Sequence, residues 1–490
     1  MSVLVVDVGT SGLRAAVVRP DATMVGYVYE PLPPTSPFAG LVEFDGVGMR
    51  DAVLRVALAA LAAGGPVRAV GITTQRASTI VWDSRDGTPV APGLSWQDLR
   101  TVGDCIRWKS EHGLGFAPNQ SATKLAWLRA NVAAARSPHA RAGTIDTWVA
   151  AVLSNFGVHV TDTSNAAVTG LVDHLTIVNR QWSTNVLKHL DIDPTTLPRI
   201  VNTIGVVGEA SALPGSPPIA AIVGDQQSSL VGQGGISNGA AKATFGTGGM
   251  LDMFVGTTAP NHSSRTKEGT IPIVVYSHDD TLHWGSEAIM LTAGANVEWL
   301  VNDLGLLPDA ATSDAVAASV ESSDGVVYVP ALIGLATPQW DYGARGTLLG
   351  LTRGTTRAHV VRAVLEGIAH RGADLLDATE RETGLRVERL KVDGGMSRNH
   401  VFTQALADAT GRPVDVSRDT EATTLGAAFL AGVAVGVWGS LDEATSLVAP
   451  LRTVEPRSTT ASTSGAQRSQ WHEAVRRARG WIPDLSALDF

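Results

Sequence analysis

The sequence predicts an α/β protein built from two related domains, and three features of the chain support that prediction. Its 490 residues suffice for roughly two to four domains that each bury an apolar core. Short β-branched runs alternate with alanine- and leucine-rich stretches of helical spacing. A strand, a Gly-Thr turn and a second strand occur at the start of the chain and again at its middle. This repetition indicates an internal duplication, with domains at residues 1–235 and 236–490.

The first predicted elements form a hairpin. Residues 3–7 are an apolar run, rich in β-branched side chains, that ends on a carboxylate, which is typical of a buried strand. Residues 9–12 contain two glycines and favour a tight turn, and residues 13–18 include a second apolar run. Two such runs around a short glycine turn predict a β-hairpin and not a strand that passes directly into a helix.

The remaining elements are predicted from the same two periodicities. Segments with helical spacing predict helices at residues 51–63, 102–111, 121–134, 144–153, 182–187, 293–303, 359–382, 400–410 and 470–479. Short apolar runs predict strands at residues 67–73, 219–223, 242–245, 250–255 and 389–392. The Ser- and Thr-rich segment 452–469 is interpreted as a flexible surface connection without a chemical role.

Composition and charge disfavour several classes of function. The formal net charge of -9 argues against nucleic acid as a partner, because binding a polyanion requires a basic surface. Cys105 is the one cysteine, so the chain cannot form an internal disulfide or a thiolate metal site. Residues 1–12 lack the pattern of a secretory signal, and no apolar run reaches the roughly 18 residues of a membrane span. We therefore predict a cytoplasmic protein without a membrane partner.

Three glycine-containing turns follow predicted strands, at residues 7–11, 246–249 and 393–395. Glycines let backbone N–H groups approach a phosphate closely, and neighbouring hydroxyls add hydrogen-bond donors. Taken singly, each turn is more simply explained as a tight turn without a ligand. The sequence has neither a P-loop nor a dinucleotide fingerprint opening a βαβ unit, so a phosphate would be held between turns from both domains. That arrangement implies a cleft between the domains.

Two carboxylates and two larger side chains are candidates for the chemistry. Asp7 and Asp225 end buried apolar strands, where a carboxylate is costly unless it binds a cation or acts as a base. Phosphoryl transfer uses carboxylates in both roles, although helix caps or turn formers are the alternative. Arg76 and Trp96 have the chemistry to bind a polyol, and the alternative is a core aromatic with a surface ion pair. No zinc-binding spacing occurs among the histidines.

A set of short strings then identifies a resemblance. They lie at residues 7–11, 71–76, 95–98, 146–148, 160–166, 224–227, 245–248, 346–353 and 392–395, with Asn399. In order and spacing they resemble the FGGY carbohydrate kinases over nearly the whole chain, and within that family the branch of glycerol kinases. The resemblance implies two actin- and hexokinase-like (ribonuclease H-like) domains with an active-site cleft between them. It also implies ATP and Mg²⁺, transfer of the γ-phosphate to a hydroxyl of a small polyol or sugar, and a homodimer.

The resemblance further assigns roles to individual residues. Asp225 corresponds to the general base, and Asp7 and Asp225 to the metal-binding carboxylates. The phosphate turn corresponds to Thr10, Ser11 and Arg14. The nucleotide-binding residues correspond to Thr247, Gly248, Gly294, Gly395, Met396 and Asn399.

The implied substrate pocket matches the glycerol kinases only in part. Arg76, Trp96, Asp225 and Gln226 agree with that branch. Its Glu, Tyr and Phe are replaced by Ala77, Asn119 and Met250. Loss of the carboxylate removes a charged acceptor worth about 1.5 to 3 kcal/mol, and the replacements open volume. We therefore expect a polyol or ketose of four or more carbons to fit better than glycerol.

Two alternatives stay open at this point. One is a ketose kinase of the same family, acting on xylulose, ribulose or erythrulose. The other is a non-catalytic, sugar-binding, actin-like ATPase that uses the cleft as a switch. The Asp225-Gln226 pair favours a kinase, because a switch has no need of a base beside its sugar site.

Overall fold

The computed structural model describes residues 2–262, 264–418, 421–457 and 461–488. The strands are β1 (Ser2–Val8), β2 (Gly12–Val18), β3 (Met24–Pro31), β4 (Glu43–Phe44), β5 (Val67–Thr74), β6 (Thr79–Asp83), β7 (Gly93–Leu94), β8 (Ala140–Thr144), β9 (Val160–Asp162), β10 (Arg199–Val201), β11 (Ile204–Glu209), β12 (Pro218–Gly224), β13 (Ala241–Phe245), β14 (Gly249–Gly256), β15 (Ile271–His278), β16 (Thr281–Met290), β17 (Val327–Val329), β18 (Thr347–Leu349), β19 (Leu390–Asp393), β20 (Val414–Val416) and β21 (Arg452–Val454).

The α-helices are α1 (Gly46–Gly64), α2 (Val102–His112), α3 (Ser121–Asn131), α4 (Ile145–Leu153), α5 (Thr163–Ala167), α6 (His174–Val178), α7 (Thr184–His189), α8 (Asp225–Gly232), α9 (Ala295–Asn302), α10 (Thr312–Ala318), α11 (Arg357–Thr383), α12 (His400–Thr410), α13 (Ala422–Ala434), α14 (Leu441–Thr445), α15 (Ala461–Ala478) and α16 (Pro483–Ser486). Short 3-10 helices lie at Ala133–Arg136, Pro194–Thr196 and Gly395–Arg398.

The first large sheet has the strand order β11-β12-β5-β1-β2-β3. Its centre is parallel, because β5 pairs in parallel with both β1 and β12, and the β1–β2 hairpin is antiparallel. β1 is buried on both faces, which explains its continuous apolar run. Leu4 and Val6 pack with α1 and α4, whereas Val3 and Val5 pack with α13. The predicted hairpin is therefore confirmed.

The second large sheet repeats this plan in the order β15-β16-β14-β13-β19-β20-β21. The β13–β14 hairpin is antiparallel, and β13 pairs in parallel with β19 as β1 does with β5. α11 and α12 cover one face through the largest apolar cluster, which includes Phe245, Leu365 and Phe402. In each sheet, a strand with a parallel partner ends at a glycine turn, and the chain then returns as the second strand of an antiparallel hairpin. This is the geometry expected from a duplicated unit.

Two helices join the sheets. α13 belongs to the second half of the sequence, yet it packs on β1, β5 and β12 of the first sheet. α13 crosses α8 with almost no side chain between the backbones. A Cβ atom on Gly426 would lie 1.8 Å from the carbonyl oxygen of Ser228, and one on Gly232 would lie 1.9 Å from that of Ala422. Glycine is therefore required on both helices at the crossing.

The segment interpreted as a flexible connection differs from that prediction. Residues 452–454 form an edge strand on β20, and the last predicted helix begins at residue 461 and not at 470. Residues 458–460 lie outside the described part of the chain. Composition failed for residues 461–469 because tertiary contacts hold the helix that contains them: Arg468 and Trp471 of α15 both donate to Asp374 of α11.

The Asp374 cluster makes a stability prediction. Its carboxylate also pairs with Arg371 at 3.1 Å, and that guanidinium is 1% exposed. Asp374→Ala should lower the free energy of unfolding by about 3 to 5 kcal/mol, because it leaves Arg371 buried without its carboxylate. Asp377→Ala is the matched control, since Asp377 is 46% exposed and contacts the same Arg468 at 2.8 Å; its cost should stay below about 1 kcal/mol. Equal denaturation midpoints for the two variants would contradict this account.

Candidate active site

The carboxylate of Asp7 lies at the end of β1, beside the first glycine turn. Its side chain is 2% exposed, and Nε of Arg14 on the paired strand lies 3.3 Å from Oδ2. Oδ2 accepts no hydrogen bond from the part of the chain that the structure describes. Burial raises the pKa of Asp7 to about 7; Arg14 opposes this rise and the charge of Asp225 adds to it. The carboxylate therefore lacks part of the positive environment that would keep it ionised.

The first turn is tied to two side chains of the neighbouring segments. The indole Nε1 of Trp96 donates to Oγ1 of Thr10 at 3.0 Å. The amide Nε2 of Gln75 donates to the carbonyl oxygen of Gly9 at 3.2 Å. Ser11 in the same turn is exposed. The structure thus brings Trp96, predicted to contact substrate, to the residues predicted to contact phosphate.

Asp225 is the first residue of α8, directly after β12. Its position is fixed by Ser164, whose Oγ accepts the N–H of Gly224 at 2.9 Å, and by Gln226, whose N–H donates to Oδ1 at 2.8 Å. Nε of Arg76 lies 3.7 Å from the same Oδ1. Burial raises the pKa of Asp225, and Arg76 opposes that rise. Asp225 is thus a stronger base than an exposed aspartate, held beside a cation.

Arg76 connects the two sheets at this point. It follows β5 of the first sheet, and its Nη2 donates to Oε2 of Glu287 on β16 of the second sheet at 2.6 Å. The two side chains are 10% and 6% exposed, so this is a buried ion pair. Sδ of Met250 on β14 lies 3.9 Å from the same nitrogen. Arg76, Asp225 and Met250, all predicted as substrate residues, are therefore close together.

Ala77 and Asn119 belong to another wall of the site. Ala77 is 7% exposed and adopts a φ of 64°. Oγ of Ser121 donates to its carbonyl oxygen at 3.0 Å. The loop before Ser121 is held by Lys124, whose buried Nζ donates to the carbonyl oxygen of Pro118 at 2.8 Å. Asn119 is exposed at the tip of that loop. The structure brings residue 77 and this loop together through backbone contacts.

The predicted nucleotide residues form a second group, on the other sheet. Thr247 and Gly248 lie in the turn between β13 and β14. The N–H of Gly294 donates to the carbonyl oxygen of Gly246 at 2.8 Å. A Cβ atom on Gly294 would lie 2.7 Å from that oxygen and 3.7 Å from Cγ of Met396. Three chain segments therefore meet at a backbone-rich surface.

The third glycine turn completes this surface. Gly394 adopts a φ of 86°, and a Cβ atom there would lie 2.5 Å from the carbonyl oxygen of Phe245, so glycine is required. Gly395 is exposed beside it. Asn399 uses its side chain differently: Oδ1 caps α12 and Nδ2 donates to Oγ of Ser313 at 3.1 Å. Asn399 therefore supports the turn with a side chain that already has partners.

Hydrogen bonds connect the elements around Asp7 and Asp225 with those around the predicted nucleotide residues. Oδ2 of Asp393, in the third turn, accepts from Oγ of Ser229 at 3.0 Å and from Nε2 of Gln233 at 2.8 Å, at the C-terminal part of α8. Nη1 of Arg14 donates to Oε2 of Glu421 at 3.0 Å, just before α13. The phosphate turn, the start of α8 and the nucleotide turns thus form one connected region between the sheets.

The buried residues Lys242, Asp252 and Glu287 are absent from the sequence-based site. All three lie within strands of the second sheet, and Lys242 contacts Gln226 directly. A signal was available, since each is a charged residue inside a strand that is otherwise largely buried. Their partners are far away in sequence, so the contacts themselves could not be predicted.

Two sheets of one plan, with carboxylates and glycine turns meeting between them, define a two-lobed phosphate-binding enzyme. The model of the N-terminal domain of the FGGY family of carbohydrate kinases matches residues 2–232, and that of the C-terminal domain matches residues 241–435. The chain belongs to the FGGY family of carbohydrate kinases. It is an ATP-dependent phosphotransferase that acts on an alcohol group of a sugar or polyol, with the actin- and hexokinase-like architecture of that family.

The individual proteins that are similar to this chain include glycerol kinases and a xylulose kinase. A glycerol kinase of Gloeobacter violaceus is 37% identical, covering 98% of this chain and 97% of the relative. A glycerol kinase of Bordetella parapertussis is 39% identical over the same shares of the two chains. The crystal structure of Plasmodium falciparum glycerol kinase with ADP superposes with a TM-score of 0.89 at 28% identity, over 97% and 98% of the chains. A Lactobacillus acidophilus xylulose kinase, at 22% identity and a TM-score of 0.85 over 99% of both chains, shares the fold.

The sequence predicts that no segment is long and apolar enough to span a membrane, and the length and composition of the helices bear on this prediction. None of the helices in the described ranges combines the length and the apolar composition of a membrane-crossing segment.

Proposed function

We propose that the enzyme transfers the γ-phosphate of ATP in line to a primary hydroxyl of glycerol or a closely related polyol, with Asp225 as the general base. The observation that carries the proposal is the position of Asp225. It is the first residue of α8, with Arg76 at 3.7 Å, and its charge influences Asp7 beside the phosphate turn. An acceptor hydroxyl at Asp225 would therefore face a phosphate held at that turn.

In the proposed reaction Asp225 removes the proton from the attacking hydroxyl. A new O–P bond forms as the bond between the γ-phosphorus and the β–γ bridging oxygen breaks, and ADP leaves with that oxygen. Burial makes Asp225 more basic, while Arg76 keeps a share of the carboxylate ionised. Arg76, Trp96 and Gln226 hold the acceptor in this proposal, and Ala77, Asn119 and Met250 bound it.

The residues present fit a magnesium ion. Oδ2 of Asp7 is buried and accepts no hydrogen bond from the described residues, and a cation would add to the positive charge that Arg14 supplies at 3.3 Å. Within the described residues no three His, Cys, Asp or Glu side chains cluster as a metal cage. Mg²⁺ commonly binds through one or two carboxylates plus phosphate oxygens and water, so Asp7, with Asp225 nearby, would hold it. When bound, the ion neutralises charge on the transferred phosphate.

The nucleotide would lie on the second sheet. Thr247, Gly248, Gly294 and Gly395 present backbone and small side chains there, and Met396 lies beneath them. Thr10, Ser11 and Arg14 would receive the γ-phosphate. Asn399 contributes by capping α12 behind the third turn.

Two acceptors are candidates for the substrate: glycerol, and a polyol or ketose of four or more carbons. Glycerol is supported by relatives that are glycerol kinases, and by Arg76, Trp96, Asp225 and Gln226, which the sequence resemblance matches to the glycerol-kinase pocket. A polyol or ketose of four or more carbons is favoured by one observation, the methyl group of Ala77 at the position where the resemblance to the glycerol kinases implies a carboxylate. The domain boundary at residues 235 and 236, a cytoplasmic location and a homodimer remain predictions.

Replacing the base tests the mechanism. Asp225→Asn should lower kcat about 10²-fold or more, because an amide cannot accept the proton. ADP release is measured with Mg-ATP against glycerol, erythritol, threitol, erythrulose, xylulose and ribulose. Asp104→Asn, in the first turn of α2, is the matched control and should keep full activity. Unchanged kcat in Asp225→Asn would exclude Asp225 as the base, and binding without turnover by the parent enzyme would favour the sugar-binding ATPase.

The raised pKa of Asp225 predicts a pH dependence. The carboxylate must be ionised to act, so kcat/KM for the acceptor should fall as pH decreases through its pKa. Because burial raises that pKa, the acidic limb should lie above the value of about 4 of an exposed aspartate. The profile is measured at saturating Mg-ATP, with unfolding followed in parallel. A rate independent of pH down to about 4 in folded protein would contradict the assignment.

Restoring the carboxylate tests the acceptor pocket. Ala77→Glu should raise kcat/KM for glycerol about tenfold to a hundredfold relative to the longer acceptors, because a charged hydrogen-bond acceptor is regained. Ala77→Gln is the matched neutral control and should give a smaller change. A parent enzyme that prefers a four- or five-carbon acceptor supports the second candidate. Unaltered selectivity in Ala77→Glu would show that residue 77 does not contact the acceptor.

A further inference from the structure

A row of buried charges crosses the second sheet beneath the site. Lys242 on β13 is paired in register with Asp252 on β14, which is paired with Glu287 on β16. Directly paired residues point to the same face of a sheet, so the three side chains lie in one row. Lys242 and Asp252 are 0% exposed. Replacing such a pair by apolar residues is often neutral or stabilising, so fold stability alone does not account for it.

The ammonium group of Lys242 has three oxygen neighbours. Nζ lies 2.8 Å from Oδ2 of Asp252, and it donates to Oγ1 of Thr244 at 3.0 Å and to Oε1 of Gln226 at 2.6 Å. An ammonium group donates and never accepts, so the atom of Gln226 that faces it has to be the carbonyl oxygen. The amide Nε2 of Gln226 is therefore turned away from Lys242, and both of its N–H donors are left for another partner.

We propose that Lys242, paired with Asp252, is a positioning residue that fixes the side-chain amide of Gln226 with its N–H donors toward the acceptor. The proposal rests on the proposed function. Asp225 and Gln226 then present one acceptor and one donor side by side. A polyol hydroxyl can donate to the carboxylate while a hydroxyl oxygen accepts from the amide. With the amide reversed, two acceptors would face the substrate and this complementarity would be lost.

The other end of the row supports the same conclusion. Glu287 holds Arg76 at 2.6 Å, and Arg76 is the second donor beside Asp225. Both donors next to the proposed base are thus held by neighbouring charges of one buried row. The row would therefore set which groups of the pocket donate and which accept.

The test removes both partners of the pair. Lys242→Met with Asp252→Leu is preferred to Lys242→Met alone, which would leave Asp252 buried without a cation. With glycerol, or the acceptor of the panel that has the highest kcat/KM, the double variant should raise KM for the acceptor roughly three- to tenfold, as expected for one lost hydrogen bond. KM for ATP should change less than twofold, and the melting temperature should stay close to that of the parent.

Gln226→Glu provides the matched comparison. It keeps an acceptor for Lys242 but removes the N–H donors, so it should raise KM for the acceptor to a similar extent. Combined with the double variant, it should give no further increase, because all changes act on one contact. An unchanged acceptor KM in the folded double variant, or effects that multiply in full, would overturn the proposal. No turnover of any acceptor by the parent enzyme would instead overturn the proposed function, and this inference with it.

Discussion

The crossing of α8 and α13 is the contact on which the geometry of the site depends. Gly426 and Gly232 bring the two backbones so close that any side chain at either position would force the helices apart. α8 begins with Asp225, and Glu421 at the start of α13 accepts from Arg14 of the phosphate turn. A shift of either helix would therefore move a proposed catalytic group relative to the other sheet. The precision of the site originates in a helix contact that involves no substrate.

Burial of charged groups is the second constraint on the site, and it lowers the stability of the folded protein. Burial raises the pKa values of the carboxyl groups of Asp7, Asp225 and Glu287. Burial therefore destabilises the ionised form of each group in the folded state. Arg14 and Arg76 offset part of this effect. The cation of the proposed function would offset a further part, because it would bring positive charge to Asp7 and Asp225.

Sequence patterns predicted the fold and the residues at chain turns, because local rules govern both. Asp7 and Asp225 follow apolar strands, and the turn at Gly394 requires a positive φ that glycine adopts without strain. Glu287 and Lys242 were missed because their significance depends on strand register and on partners distant in the chain, such as Arg76. Residues 452–454 and 461–469 were wrongly assigned for the same reason: a Ser- and Thr-rich composition indicates weak local preference, whereas β21 pairs with β20 and Arg468 and Trp471 of α15 contact Asp374.

The structure also separates the proposed chemistry from the choice of acceptor. Asp7 lies near the end of β1 and Asp225 directly follows β12, and both strands are buried along most of their length, which leaves little freedom at these positions. Ala77 and Asn119 lie instead on a wall whose parts are joined by Ser121 and Lys124 through backbone carbonyl groups. Such contacts tolerate changes of the side chains at 77 and 119, because those side chains do not make them. In the proposed function, this wall would change its contacts with the acceptor while the residues proposed to carry out the transfer stay where they are.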